Sequence, residues 1–375
     1  MDTNPKIVEE FKNEPVQCGS LDWSIGFYWF CRHIWLNHCA LTWLTDGAFT
    51  YFRSLYHKHW WMVLLWMPFS TAAIVYITQK YFAGASGSGI QNVLAAQDPN
   101  LPANKIPKLI SLKLSLGKFF LTTWGMLAGL SMGREGPSVQ IAAGVMSSCR
   151  RWLPRSTKIS RDTLLVAGGA AGLAAAFNTP LGGIVFAIEE LIRKPNHKMY
   201  SLIMAAIVTG GLLALSIFGS NTYFGVIQVH QFGWPVFLPA ILVAVSCGLL
   251  GGVFSRLLLV SILGTSKDWF SRQRREHPVW FAAACGLVIA IMGIATHGDI
   301  FGSGYAQTKR AVAEGGDASA LSVLLKFCAT WLTTWAGVPG GIFSPTMSIG
   351  GEVGGVIASL LHYVNPPTLI ALGMA

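Results

Sequence analysis

Residues 162–190 read DTLLVAGGAAGLAAAFNTPLGGIVFAIEE, an apolar stretch split in its middle by Phe177-Asn178-Thr179-Pro180. Proline has no amide hydrogen and pushes the residue before it out of the helical region, so a helix stops here. Each half is then about 14 residues or fewer, roughly 21 Å of helix at the usual rise. The hydrocarbon layer of a bilayer is about 30 Å thick, so neither half crosses it alone. Basic residues flank both ends: Arg150, Arg151, Arg155, Lys158 and Arg161 before it, Arg193, Lys194 and Lys198 after it. Basic loops stay on the cytoplasmic side, and one crossing helix cannot begin and end on the same side. The stretch is therefore expected to be a re-entrant helical hairpin. Irregular backbone at that depth survives only where it is buried in protein or lines a cavity.

The rest of the chain agrees with a membrane setting. Of its 375 residues, 52% are hydrophobic and 12% charged, about half the charge of a soluble domain. Apolar runs recur at 62–78, 119–131, 201–218, 236–264, 279–296 and 321–338. They lack the strict alternation of barrel strands, so helices are expected. A third basic cluster, Lys267, Arg272, Arg274 and Arg275, joins the first two on the cytoplasmic side, and the loop 219–234, free of Lys and Arg, falls outside. The net charge of +10 is thus topological and implies no nucleic-acid partner. Residues 1–19 lack the apolar core of a signal peptide. Seven scattered cysteines predict no disulfides. Cys31, His33, His38 and Cys39 cluster without zinc spacing, so no metal is expected, and no cofactor.

Three further breaks are rich in glycine, and each opens an apolar segment: Gly87-Ser88-Gly89-Ile90, Gly133-Arg134-Glu135-Gly136-Pro137 and Gly340-Gly341-Ile342-Phe343-Ser344-Pro345. The last two share a short pattern. Pro137-Ser138-Val139-Gln140-Ile141 matches Pro345-Thr346-Met347-Ser348-Ile349, once in each half, which points to internal repeats. Helix N-termini present unpaired amides and partial positive charge. Several aimed at one point make an anion site, and partial charges release an ion that a full lysine charge would hold. Glycine admits the ion close to the backbone, and Ser88 adds a hydroxyl donor. A carboxylate is itself an anion, so Glu135 can fill the site, then vacate it on protonation, acting as gate and proton acceptor. Arg134 beside it is either an external attractor of anions or an arginine reaching for the interface. Glu189 and Glu190 close the re-entrant hairpin. Adjacent residues point about 100° apart on a helix, so spacing does not choose between them.

Together these residues resemble the CLC family of chloride channels and proton-coupled chloride transporters. Its marks GSGIP, G(K/R)EGP and GxFxP appear in order as GSGIQ at 87–91, GREGP at 133–137 and GIFSP at 341–345, with 170–184 similar to the family's re-entrant hairpin. The likeness runs from about residue 60 to 375. It implies an all-α polytopic membrane protein, an inverted-repeat fold with re-entrant and broken helices, whose second repeat is incomplete. The central anion would be held by Ser88 with the backbone of Ile342 and Phe343, and the surrounding anion path by Gly87, Gly89, Ile90, Gly133, Arg134, Gly136 and Gly341. Glu135 would be the external gate. Glu190 matches the internal proton-transfer acid of the exchangers, which favours chloride/proton exchange over passive conduction. Ser88 argues against the fluoride-exporting branch. The implied partners are chloride, protons and the lipid bilayer, with a homodimer for a full-length member. A multi-pass protein of a bacterial inner membrane is expected, and no enzyme. The expected division is 1–58, an N-terminal segment with an atypical first helix; 59–218, the first membrane repeat; and 219–375, the second.

Three departures stand out. Gln91 replaces the family's proline. Residues 22–57, where a long first membrane helix belongs, contain Arg32, His33, His38, Asp46 and Arg53. The family continues past the position of Ala375 with helices bearing a tyrosine on the central anion and part of the dimer interface, so a weaker central site is expected here. The competing readings are an uncoupled chloride channel, an inactive fragment and an intramembrane serine protease. The last rests on Gly84-Ala85-Ser86-Gly87, but His197, His230, His277 and His297 all sit at segment edges, where a base inside a later helix is needed.

Overall fold

The computed structural model describes residues 20–375 apart from 103, 152–158, 193–196, 220–223, 225–233, 265–267, 315–318 and 364. Arg155, Lys158, Arg193, Lys194, Lys267, most of the loop 219–234, and the side chains of Cys31 and Lys198 lie outside the described residues. The first half runs α1 (Ser20–Lys58), α2 (Val63–Tyr81), α3 (Ile90–Ala95), α4 (Leu112–Leu127), α5 (Glu135–Ser148), α6 (Arg161–Ala176), α7 (Pro180–Phe186) and α8 (His197–Phe218). The second runs α9 (Trp234–Leu263), α10 (Trp269–Glu276), α11 (Pro278–Ala295), α12 (Tyr305–Glu314), α13 (Ala320–Trp335), α14 (Phe343–Leu360) and α15 (Pro366–Met374). The described residues form no strand.

Four helices are long and apolar enough to cross a membrane, over Trp60–Tyr81, Tyr200–Ile217, Trp234–Ile262 and Pro278–Ala295. Their outward faces carry exposed Leu65, Phe69, Leu212, Leu238, Leu249 and Ile291, as helices bounded by lipid require. Between them stand shorter helices, α4 and α6 of 16 residues and α5 of 14. The re-entrant hairpin is there. α6 ends at Ala176, Asn178 takes a positive φ of 52°, and α7 starts on Pro180 with the Thr179 hydroxyl accepting from the Gly182 amide. Its first half is longer than the sequence suggested, because the Ser160 hydroxyl caps α6 at Thr163, ahead of the apolar run.

The first helix is continuous from Ser20 to Lys58 despite its charges. Arg32 and Arg53 are exposed, and two of its other polar residues have partners on α5 or at its N-cap. Asp46 pairs with Arg134, and His38 lies between the hydroxyls of Ser138 and Thr42, each at 3.2 Å.

The repeat reaches further than the P-[S/T]-x-x-I match. The spacing that separates Pro137 from Pro345 also separates Lys118-Phe119 from Lys326-Phe327, Thr122 from Thr330 and Gly133 from Gly341. The contacts obey it. The Thr122 hydroxyl donates to the carbonyl of Pro339 (3.2 Å), while Thr330 shares a hydrogen bond with Ser131 (2.9 Å), the residue equivalent to Pro339. Gly133 and Gly341 are each other's equivalents and exchange two backbone hydrogen bonds of 2.7 Å. That pair therefore marks the pseudo-twofold axis between the halves.

Candidate functional site: a junction of three helix starts

Two short stretches of paired backbone tie the three glycine-rich breaks together. Gly133 bridges Gly341 in antiparallel fashion, and Gly87 bridges Pro339 in parallel, with the Gly340 amide donating to the Gly87 carbonyl at 3.2 Å. α3, α5 and α14 all begin at this junction, at Ile90, Glu135 and Phe343. α3 starts without the proline replaced by Gln91, because Gly89 adopts φ 96° and supplies the turn. The spacing is tight. A β-carbon on Gly136 would stand 2.2 Å from the Ser88 Oγ, and one on Gly341 would stand 3.0 Å from the Gly136 nitrogen. The glycines therefore let three backbones approach where any side chain would fill the space.

Glu135 is fully buried in that seam. Its Oε1 accepts a hydrogen bond from the Ser344 hydroxyl at 2.5 Å. Its Oε2 faces the other side, where a β-carbon on Gly133 would stand 2.1 Å away and one on Gly341 3.2 Å. Ser88 is buried at 6% exposure, and its hydroxyl has no hydrogen-bond partner among the described residues. Buried hydroxyls are mostly satisfied, which makes Ser88 a candidate donor to a ligand. Ile342 caps α14, and the ring of Phe343 meets Phe177 of the re-entrant turn edge-to-face at 6.5 Å.

Gly87, Ser88, Gly89, Ile90, Gly133, Glu135, Gly136, Gly341, Ile342 and Phe343 thus come together at one junction. Two other expected residues do not. The Arg134 guanidinium is engaged by α1, through Asp46 and, at 3.5 Å each, the Thr42 carbonyl and the Thr45 hydroxyl. Glu190 lies beyond α7, in the π-helical turn Ala187–Leu191, where it and Glu189 are both exposed. The Ser86 hydroxyl, the nucleophile of the protease reading, donates to the Gly337 carbonyl at 3.1 Å.

Two contributors were not read from the sequence. Ser344 occupies the position equivalent to Gly136, and only the fold brings it to Glu135. Lys118 is wholly buried, its ammonium donating to the carbonyls of Ala85 (2.7 Å) and Gly87 (2.5 Å). It clamps the loop that presents Ser88. A charge inside an apolar run, as in Gly117-Lys118-Phe119-Phe120, is the signal that could have found it. Replacing Lys118 with Met is expected to orphan the Ala85 carbonyl and to leave the Gly87 carbonyl with the Gly340 amide alone. At about 1–3 kcal/mol for an unsatisfied group, the thermal unfolding transition in detergent should fall by several degrees or more. An unchanged transition would mean that the clamp is dispensable.

Comparisons with known proteins give the family and the fold. Residues 70–375 match the family model described as voltage gated chloride channel. The H(+)/Cl(-) exchange transporter ClcA of Cronobacter sakazakii is 31% identical over 333 residues, which cover 84% of this chain and 67% of that protein. Its namesake from Salmonella agona is 28% identical over 83% of this chain and 67% of its own length. A CLC-type fluoride/proton antiporter of known structure superposes with a TM-score of 0.74 at 22% identity, over 100% of this chain and 87% of that one. A slow cyanobacterial Cl-/H+ antiporter superposes with a TM-score of 0.76 at 20% identity, over 92% and 82% of the two chains. At such identities these structures establish a shared fold.

Proposed function

The chain belongs to the voltage gated chloride channel family, and we propose that it exchanges chloride for protons across a membrane. The observation that carries the reading is the seating of Glu135: a fully buried carboxylate at a junction of helix starts, held by Ser344 within reach of the glycine backbones of the other half. A group of the transported ion's own charge, placed where amides converge, competes with that ion. In this reading Ser88 and the amides of Ile342 and Phe343 hold the central anion. Glu135 blocks the path when ionised and opens it when protonated, carrying the proton inward as the anion leaves. Glu190 passes protons at the cytoplasmic face. Arg134, neutralised by Asp46, lends the entrance little net charge.

The same reading assigns residues 59–218 and 219–375 to the two inverted membrane repeats, preceded by 1–58, and sets the protein in a bacterial inner membrane, with a homodimer for a full-length member. Sealed liposomes test the exchange. Vesicles loaded with chloride and diluted into chloride-poor buffer should take up protons as chloride leaves, making the outside alkaline without any imposed pH gradient. Chloride efflux with no proton movement would replace the exchanger with a channel.

A further inference from the structure

The second half repeats the lysine clamp. Lys326 sits on α13 as Lys118 sits on α4, is 1% exposed, and donates to the carbonyls of Ile300 (2.9 Å) and Gly302 (2.7 Å). Its loop is again Gly-Ser-Gly, Gly302-Ser303-Gly304, with both glycines at positive φ (67° and 77°), as at Gly87 and Gly89 (68° and 96°). Even the neighbour of the second glycine is equivalent. A β-carbon on Gly89 would strike the Gln140 side chain at 2.3 Å, and one on Gly304 the Ser348 hydroxyl at 2.2 Å.

One helical turn beyond Ser348 the halves part company. α14 carries Glu352, whereas its equivalent on α5 is Gly144, where a β-carbon would stand 2.2 Å from Ser115 Oγ. Glu352 interacts electrostatically with Lys326 and the exposed Asp299, beside the hydroxyls of Ser322 and Ser348. It makes no direct ion pair, and its Oε2 is buried without a hydrogen-bond partner among the described residues. The Ser322 and Ser348 hydroxyls give the carboxylate hydrogen-bond partners. What it adds beyond those bonds is charge. Lys118 forms no ion pair among the described residues.

We propose that Glu352 is the built-in counter-charge of Lys326, cancelling the second half's buried cation and so setting the anion affinity of the central junction, while the first half's Lys118 is left to face a mobile anion. The inference rests on the junction being an anion site. Glu352 lies ~13 Å along α14 from its first residue at ~1.5 Å per residue. One charge at that distance, with an effective dielectric of about 20, changes an anion's affinity about tenfold.

Calorimetric chloride titration of the purified chain in detergent tests it. Glu352→Gln, which keeps the shape and removes the charge, is expected to bind chloride about tenfold more tightly than the unaltered protein. Asp299→Asn, in contact with solvent, should stay within about twofold. Lys326→Met with Glu352→Gln removes both charges and should return to within about twofold of the unaltered protein. A merely structural role for Glu352 would weaken binding and leave no rescue. Unchanged or weaker binding in Glu352→Gln, or a double variant that stays tenfold from the unaltered protein, overturns the proposal. Absence of chloride binding in the unaltered protein would instead strike the anion-site reading beneath it.

Discussion

Glu135→Gln is expected to carry chloride without carrying protons. The native carboxylate and a chloride ion about 4 Å apart repel by roughly 4 kcal/mol at an effective dielectric of about 20, close to a thousandfold in occupancy. They therefore take turns at the junction, and a proton decides whose turn it is. Gln keeps the volume, and its amide oxygen can still accept from Ser344, which now donates to Oε1. What it lacks is the charge and the exchangeable proton. Proton uptake driven by a chloride gradient should fall by roughly a hundredfold or more, the usual worth of a positioned proton-transfer group, while anion flux persists. Glu135→Ala, which removes the obstruction altogether, should behave likewise. Proton uptake of normal size in either variant would remove Glu135 from the gate.

The second large effect is expected at Glu190. Glu190→Gln should also stop proton transport, by roughly a hundredfold, yet leave chloride binding at the junction unaltered, because this residue lies beyond α7 and takes no part in the contacts among the three breaks. Glu189→Gln is the control. The two acids are neighbours in one π-helical turn, and both are exposed, so neither burial nor position separates them. Turns of this kind gather at functional sites. Proton transport lost in Glu189→Gln and kept in Glu190→Gln would exchange their roles.

Much of this architecture is legible locally. Proline and glycine act on their own backbone, so the stops at Phe177-Asn178-Thr179-Pro180 and at the three breaks are visible without tertiary information. The buried acid could be read the same way, because Glu135 sits between apolar runs where charge is costly. What escaped depends on partners far along the chain. The first helix looked too polar until Asp46 met Arg134 and His38 met Ser138. Arg134 read as either an anion attractor or an arginine reaching for the interface, because nothing near it in sequence reveals that α1 claims its charge. Ser344 reaches Glu135 only because the two halves interleave about Gly133 and Gly341. The lysine clamps are the instructive miss. Lys118 and Lys326 share the spacing of the proline match, but sequence cannot say that each ammonium turns back onto the Gly-Ser-Gly loop of its own half.

The zero-flux voltage across liposomes holding the purified chain tests chloride/proton exchange most directly. With chloride gradients fixed and membrane potential set by potassium and an ionophore, the voltage at which net chloride movement stops should shift when a pH gradient is imposed, and Glu135→Gln should abolish that shift. A zero-flux voltage that stays at the chloride equilibrium potential whatever the pH gradient would contradict coupled exchange and leave a passive chloride path.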